Sequence, residues 1–510
     1  MRTLFLTISG LLVCLGIGPA RGDDATSLSD VIDRHIQARL DADGLLRAAQ
    51  ADDAEFLRRL YLDLHGVVPS AEQAAKFLDR RDPHKRAQLI DELLASPRFG
   101  EHVADLWCGR LLSPQLNDPR KRDAFAKWLA DRFNSAGWDR IATDLLTATG
   151  KLEENPAVIY LIEGNFPLGV TDLTDLSTRY FLGVRLNCAQ CHNHPFAAWK
   201  QHDYWGMAAF FAQIQTPGRP KAVYKVGVLD NPQMTIATLR DTETIEHFQA
   251  RTPTFLGGQE LSADAHPTHR AALAHWVTSP ENPYFARAAV NRMWWQFFGR
   301  GIVNPVDDMH SGNAPTHPEL LDLLSQRFAG SSFDLKFLCR AILNSRTYQQ
   351  TSRPGEDAEM QAKLFGRMSI KVLSAEQLYD SLVAILGQPV KASGTDTRLG
   401  ARYEFSQFFG GEADTDPTRY ERGIPHVLRM MNSPQFAGGS LASLASRVAP
   451  AERPADKSIE QLFLTILSRR PTPAEQQLAQ DQLQTNSTHQ SAYDDLVWAL
   501  LMGSEFALNH

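Results

Sequence analysis

The sequence predicts a mainly α-helical fold, with two helical domains and a small connector that is irregular or holds short strands. Helix-start signals, periodic apolar runs and a scarcity of strand signals lead to this prediction. In a capping box, a Ser or Thr side chain and a Glu or Gln three residues later bond to each other's backbone N–H groups. Four such pairs precede apolar runs: Ser70/Gln73, Thr316/Glu319, Ser374/Gln377 and Thr472/Glu475.

Two periodic runs predict further helices. Between residues 124 and 137, Phe125, Leu129 and Phe133 recur at the spacing of one helical face. Residues 283–299 form the second run, which opens with Pro and closes with Gly. Proline is common at the start of a helix and glycine just past its end.

Strand signals are concentrated between residues 220 and 256, in a cluster of β-formers that ends at a Gly-Gly pair. We therefore predict a connector at 216–262, between helical domains at 23–215 and 263–510. The β-formers are Val223, Tyr224, Val226 and Val228.

The composition is that of a globular protein. Of the 510 residues, 43% are hydrophobic and 22% are charged, which excludes a collagen, a disordered chain or a low-complexity chain. The net charge of -7 gives no support for a nucleic-acid partner, which would normally require a basic face, so we predict none. No apolar run after residue 20 is long enough to cross a membrane.

The N-terminus has the pattern of a secretory signal peptide. Arg2 precedes a short apolar stretch, and Ala20 and Gly22 are small residues at the expected cleavage positions. We therefore predict that residues 1–22 are removed, that no membrane span is left, and that the protein is periplasmic or extracellular. Of the remaining cysteines, Cys108 and Cys339 are predicted to be buried single thiols.

One motif points to a specific chemistry. Cys188, Cys191 and His192 form Cys-x-x-Cys-His, the attachment signature of a c-type haem. The two thiols would form thioethers with the haem vinyl groups, and His192 would be the proximal iron ligand. The sequence therefore predicts haem c bound covalently at Cys188 and Cys191.

Two other readings of the motif stay open. Cys188, Cys191 and His192, with either His194 or His202, have the donor types of a zinc site. The two cysteines alone would also serve as a redox dithiol or as a disulfide.

The residues after the motif are rich in aromatic side chains. Trp205, Phe210 and Phe211 would suit the apolar wall of a haem pocket, or would form the core face of an ordinary helix. A second iron ligand has to come from elsewhere in the chain, and the sequence does not rank its candidates. They are Met207, His202, Met309, His310 and His317.

Three weaker groups have structural explanations that we favour over a site. Acids and histidines between Asp307 and Glu319 fit the start of a helix. A polar set in the 283–299 helix fits a buried network. An acidic alternation at 412–416 lacks the Gly and the final Glu of a calcium loop. The polar set is Arg287, Asn291 and Arg292.

Long runs of the sequence resemble a known pair of domains. FLRRLYLDLHGVVPS at 56–70 and FLGVRLNCAQCHNHPF at 181–196 resemble the planctomycete cytochrome-c-associated domain of unknown function. The second half is similar to its usual partner, the planctomycete-specific C-terminal domain. The matching runs there are NPYFARAAVNRMW at 282–294, GRGIVNPVDD at 299–308, HPELLD at 317–322 and WALLMGSEFALNH at 498–510.

The resemblance implies an exported protein for which no reaction is established. Relatives often carry an additional cytochrome c domain, whereas this chain has a single Cys-x-x-Cys-His. The leading prediction is an exported single-haem redox protein that exchanges electrons with an unknown partner protein. The alternatives are a non-catalytic extracytoplasmic binding scaffold, with zinc or a disulfide at the motif, and a haem enzyme with an open iron site.

Overall fold

The computed structural model describes most of the chain after residue 21. The described residues are 22–112, 118–163, 166–167, 169–215, 227–231, 252–262, 266–387, 398–410, 416–418, 439–450, 452–485 and 489–510. The predicted signal peptide lies outside them except for Gly22, and so do most of the predicted connector and residues 412 and 414. None of the described helices is long and apolar enough to span a membrane.

The fold is mainly α-helical, which confirms the predicted class. The N-terminal half of the chain supplies nine helices among the described residues. They are α1 (Gly22–Ala42), α2 (Asp53–His65), α3 (Ala71–Asp79), α4 (Lys85–Ala95), α5 (Pro97–Leu111), α6 (Pro119–Ser135), α7 (Trp138–Leu146), α8 (Val170–Leu182) and α9 (Gln201–Ala208).

The remaining helices follow residue 268. They are α10 (His269–Val277), α11 (Phe285–Phe298), α12 (Pro318–Gly330), α13 (Leu335–Asn344), α14 (Ala358–Lys363), α15 (Ala375–Leu386), α16 (Arg398–Phe409), α17 (Gly439–Val448), α18 (Ala455–Leu467), α19 (Pro473–Thr485) and α20 (His489–Met502). Three short 3₁₀ helices lie at Pro156–Leu161, Asn187–Gln190 and Ala209–Phe211.

The strands are short and antiparallel. A three-stranded sheet has the order β1-β5-β4, and β2 pairs with β3. The last pair, β6 with β7, joins Lys371 to Asn509 and brings the end of the chain back to the middle. The strands are β1 (Gly150–Lys151), β2 (Ile162–Glu163), β3 (Phe166–Pro167), β4 (Ile214–Gln215), β5 (Gly227–Asp230), β6 (Lys371–Val372) and β7 (Leu508–Asn509).

Three of the four predicted capping boxes are present, at Ser70, Ser374 and Thr472. The fourth prediction, Thr316 with Glu319, is wrong because α12 begins one residue later, with His317 at its N-cap. The Thr316 hydroxyl donates instead to the carbonyl of Ile302. The Thr316 hydroxyl thus bonds to a carbonyl 14 residues away in the sequence and not to the backbone N–H of the predicted capping box.

Both predicted periodic helices form. Phe125, Leu129 and Phe133 lie on the buried face of α6. Helix α11 ends at Gly299, whose φ of 73° is the left-handed conformation that favours glycine.

Two hydrophobic cores hold the helices together. The first collects buried residues from α1 through residue 368, together with Leu464 of α18, so it runs across the predicted boundaries at 215 and 262. The second is built from α15–α20 and includes Leu62 and Val68 from the N-terminal half. The predicted domain boundaries therefore stay predictions, and packing joins the two halves of the chain closely.

Candidate functional site

The Cys-x-x-Cys-His motif lies on a 3₁₀ turn between α8 and α9. Helix α8 ends at Gly183, in the left-handed conformation, and Asn187–Gln190 then form the 3₁₀ turn, which Cys191 directly follows. In a 3₁₀ helix the side chains at positions i and i+3 eclipse each other. Since Cys191 directly follows the 3₁₀ helix, the spacing predicts that its side chain lies on the same side of the backbone as that of Cys188.

Three side chains of the neighbouring segment hold this turn in place. The Gln201 amide nitrogen Nε2 donates to the carbonyls of Gln190, at 3.1 Å, and Cys191, at 2.9 Å. The indole Nε1 of Trp205 donates to the same Gln190 carbonyl at 3.1 Å. Asn193 Oδ1 accepts from the backbone N–H of Gln201. The motif is thus tied to the first turn of α9 by its own carbonyl groups.

Both thiols of the motif are free and exposed, whereas Cys108 and Cys339 are free and buried, as predicted. Burial raises the pKa values of the Cys108 and Cys339 thiols far above the ordinary range, so they stay protonated. Only Ala189 of the motif is fully buried. Reagents and partner proteins in solvent can therefore reach Cys188 and Cys191.

His192 is exposed beside the second thiol. Its ring nitrogen Nδ1 lies 2.8 Å from the carbonyl oxygen of Asn193. A carbonyl oxygen only accepts, so Nδ1 carries the proton in this hydrogen bond. In the neutral ring, Nε2 is then the nitrogen that can take up a proton.

A second histidine of the motif loop is fixed by backbone contacts. His194 Nδ1 accepts from the N–H groups of Phe196 and Ala197, at 3.2 and 3.0 Å. Its ring centre lies 6.4 Å from that of His310. Partial burial and the neighbouring His310 and His192 lower the pKa of His194, against the opposing effect of Asp308. His194 therefore acts as a neutral acceptor that shapes the loop.

The candidates for a second iron ligand lie in different surroundings. Met207 is 1% exposed within the first core. His202 lies on the exposed side of α9, 3.3 Å from Asp203. His317 caps α12 and packs on the ring of Phe365, and burial lowers its pKa to about 4.

Met309 and His310 come nearer, because the Met309 N–H donates to the carbonyl of Gly183 at 2.9 Å. Met309 lies against the end of α8, where its sulfur would be 3.2 Å from a Cβ added to Gly183. His310 Nδ1 accepts from the N–H of Gly312, and its Nε2 is 3.7 Å from Asp308. Both side chains thus have structural contacts of their own.

The prediction of a haem c cofactor, with zinc as its alternative, is wrong. Among the described residues, no three His, Cys, Asp or Glu side chains form a group that could hold a metal ion. Trp205, Phe210 and Phe211, predicted as the wall of a haem pocket, are 2% exposed or less and pack inside the first core. Since the core uses these aromatic side chains, they are the buried face of ordinary helices.

Two members of the polar set in α11, Asn291 and Arg292, lie in a buried network as predicted, whereas Arg287 pairs with Asp322 of α12 at the surface. Asn291 donates to the carbonyls of Val303 and Val306 and accepts from the N–H of Val303. Arg292 pairs with Asp307, which also accepts from Arg179 of α8 at 3.2 Å. The network fixes the segment after α11 against the helix that leads into the motif.

Sequence reasoning missed a partly buried acid on helix α8, which leads into the motif. Asp175 has a buried Oδ1 without a hydrogen-bond partner, and burial raises its pKa to about 6. Burial and the charge of Asp175 also raise the pKa of the neighbouring Tyr204 above its ordinary range. Nothing in the local pattern marks Asp175, because its environment comes from helix α9.

The raised pKa of Asp175 predicts a specific pH dependence of stability. In the unfolded chain an Asp has a pKa of about 3.9, so the folded protein binds more protons between about pH 4 and 6. The stabilisation that comes from protonated Asp175 is therefore fully present below about pH 4. It is lost as the pH rises through 6, and the free energy of unfolding no longer changes with this group above that pH. Asp175→Asn should remove this part of the dependence, measured by urea unfolding at pH 4, 5, 6 and 7. Asp131→Asn, at an exposed site on α6, is the control, and an Asp175→Asn profile parallel to wild type would contradict the assignment.

Comparison with protein families identifies two regions of the chain. Residues 31–216 match PSCyt2, described as a protein of unknown function (DUF1549), and residues 269–424 match PSD1, described as a protein of unknown function (DUF1553). The order of the two regions is the one that the sequence resemblance predicted, and that prediction is confirmed. No curated protein and no solved structure matches the chain.

Proposed function

We propose, from the cysteine motif at residues 188–192, that the protein is an extracytoplasmic dithiol–disulfide protein. The chain carries a PSCyt2 domain followed by a PSD1 domain, and both are of unknown function. Cys188 and Cys191 are the reacting pair, and the partner is a protein with a reducible disulfide. The observation that carries the proposal is that two free, exposed thiols lie three positions apart at a 3₁₀ turn. Export, which the N-terminal sequence predicts, would place the pair in a compartment where disulfides persist.

The turn has the dimensions that a disulfide needs. At a rise of about 2.0 Å per residue, positions i and i+3 of a 3₁₀ helix are roughly 6 Å apart along its axis. Disulfide-bonded residues usually have Cα atoms about 4.4–6.8 Å apart. Closing the Cys188–Cys191 bond therefore needs only a small adjustment of the backbone, so the turn suits both redox states.

The exchange is balanced in atoms and electrons. One thiol loses its proton, and its thiolate attacks a sulfur of the partner disulfide, which forms a mixed disulfide and releases a partner thiolate. The second thiol then loses its proton and attacks the mixed bond, which closes Cys188–Cys191 and frees the second partner thiolate. The chain gives up two electrons and two protons, and the partner disulfide becomes a dithiol. In this proposal His192, the residue that follows Cys191 in the sequence, would take up one of these protons at Nε2.

The proposal predicts reversible oxidation confined to one peptide. Trypsin cuts after Arg185 and Lys200, so both cysteines of the motif lie in the fragment 186–200. In oxidised glutathione buffer this fragment should resist alkylation and lose the mass of two hydrogens. In reduced glutathione it should take up two labels, since exchange disulfides have reduction potentials above about -300 mV.

The chain supplies its own control. Cys108 and Cys339 are buried, so they should stay unlabelled until the protein is unfolded. Cys188→Ser and Cys191→Ser should each abolish the two-hydrogen mass change and leave a trappable mixed disulfide with glutathione. A pair that stays reduced in oxidised glutathione would refute the proposal. A pair that stays oxidised in reduced glutathione would favour the scaffold with a structural disulfide.

A further inference from the structure

We propose that the chain has a second site, separate from the cysteine motif, which binds a small organic anion with an apolar body. The site is a cavity of about 430 Å³ between the two halves of the chain. Helices α2, α3 and α5 line it from one side, and α15, α17 and α18 line it from the other. Its volume is within the range of about 300–1,000 Å³ that is typical of small-molecule sites.

The charge of the lining selects an anion. Arg98, Arg447 and Arg453 line the cavity, and no described Asp or Glu does, although the chain as a whole has a net charge of -7. Arg447 donates to the carbonyls of Ile385 and Leu386, at the end of α15, and Arg453 donates to that of Val448. These two arginines are held in place by backbone carbonyls, and no carboxylate among the described residues pairs with them.

Arg98 is the guanidinium that remains available to a ligand. It has no hydrogen-bond or ion-pair partner for its side chain within the described residues. It lies in the first turn of α5, and Ser70 and Ala71 bring the start of α3 to the same cavity. The N-terminal end of a helix carries partial positive charge, so both helices add to the attraction for an anion.

Tyr61 supplies a hydrogen-bond donor. Its side chain is 6% exposed and lines the cavity, yet no described residue hydrogen-bonds to its hydroxyl. Burial and the charge of Glu92 raise the pKa of Tyr61 to about 12, so the hydroxyl keeps its proton at neutral pH. The hydroxyl is thus a protonated donor at the cavity wall, and the oxygen of a bound ligand can accept from it.

Much of the remaining wall is apolar, and its polar members are His65, Gln73, Gln461 and Thr465. Val67, Val68 and Leu444 line the cavity and are buried. They offer an apolar surface beside the charged and donor groups, a combination that favours a carboxylate or sulfonate attached to a hydrocarbon over a bare inorganic anion. Arg98 and Tyr61 would thus bind the acidic group of the ligand, and the aliphatic side chains would contact its hydrocarbon body.

Anilinonaphthalene sulfonate tests the site directly, since it is an aromatic anion whose fluorescence rises in apolar surroundings. We expect saturable binding of one dye per full-length mature chain, with the affinity reduced about tenfold in Arg98→Gln. Arg140→Gln, at an exposed arginine of α7, is the matched control and should bind within twofold of wild type. Ala384→Trp, which places a large side chain at an exposed position of the lining, should abolish saturable binding.

Competition identifies the ligand class. Hexanoate should displace the dye, whereas hexanamide, which has the same body without the charge, should need at least tenfold higher concentrations. Displacement by inorganic phosphate but not by hexanoate would overturn the assignment to an organic anion. Dye binding that is unchanged in both folded variants, Arg98→Gln and Ala384→Trp, as judged by circular dichroism, would overturn the site itself. Cys188→Ser should leave dye binding unchanged, so the two proposals fail independently.

Discussion

Lys371→Met should destabilise the protein by about 3–5 kcal/mol, the cost typical of leaving a buried charge without its partner. The Lys371 side chain is 7% exposed and that of Asp63 is 1% exposed, and they form an ion pair with an Nζ–Oδ1 distance of 2.6 Å. Methionine has nearly the volume of lysine but no charge, so the substitution removes the pair without opening a large cavity. The remaining Asp63 carboxylate would be buried beside neutral donors only.

The contacts around this pair explain why the loss should be felt far along the chain. The Lys371 ammonium also donates to the carbonyls of Gln296 and Phe297, at 2.9 Å each, near the end of α11. Asp63 accepts from the Tyr348 hydroxyl at 2.9 Å and from the Asn509 amide at 2.7 Å. One buried group of side chains thus joins α2, α11, β6 and the last strand, β7.

The measurement is the free energy of unfolding in urea for wild type, Lys371→Met and a control lysine variant. Lys457→Met is the matched control, because Lys457 pairs with Glu460 on the surface of α18 with 64% of its side chain exposed. Exposed pairs contribute about 0–1 kcal/mol, so this variant should stay close to wild type. Equal losses in the two lysine variants would show that the buried pair has no special role.

The same pair shows what sequence reasoning could and could not reach. Signals that depend on neighbours in the chain were predicted correctly, such as the capping boxes at Ser70 and Ser374 and the left-handed Gly299 at the end of α11. Asp63 and Lys371 are 308 residues apart, and the sequence around each of them does not indicate which residue it pairs with. Their pairing is a property of the packed molecule alone.

The cysteine motif failed as a haem prediction for a related reason. The spacing of Cys188, Cys191 and His192 is local, and it predicts two thiols on neighbouring turns of the chain without showing what they bind. Whether the nearby aromatic side chains line an open pocket or fill a core depends on distant helices. Phe210 packs against Phe255 with ring centres 4.8 Å apart, and Phe255 stacks on Trp276 at 5.1 Å. The aromatic density after the motif therefore belongs to the core.

Trp138→Ala should be comparably damaging, with a loss of about 3–5 kcal/mol, since it removes a fully buried aromatic side chain and leaves a cavity. The Trp138 ring lies 4.4 Å from that of Trp107 and 6.0 Å from that of Phe133, between ring centres. It also stacks on Phe285 of α11, at 6.3 Å. Trp138 thus joins helices from both halves of the chain, and no single helix can close the space it leaves.

The effect should reach the cysteine motif through α8, because Phe181, near the end of that helix, packs 5.7 Å from Trp138. We expect a lower urea midpoint and faster alkylation of the buried Cys108, which follows Trp107 in α5. Trp498→Ala is the control, since Trp498 is 36% exposed on α20 and its loss should cost much less stability.

If Cys108 in Trp138→Ala is alkylated as slowly as in wild type while Cys188 and Cys191 react normally, the aromatic cluster does not hold the two halves together. If Cys108 reacts faster and the motif thiols react at the wild-type rate, the motif turn is held by Gln201 and Trp205 independently of the core beneath it.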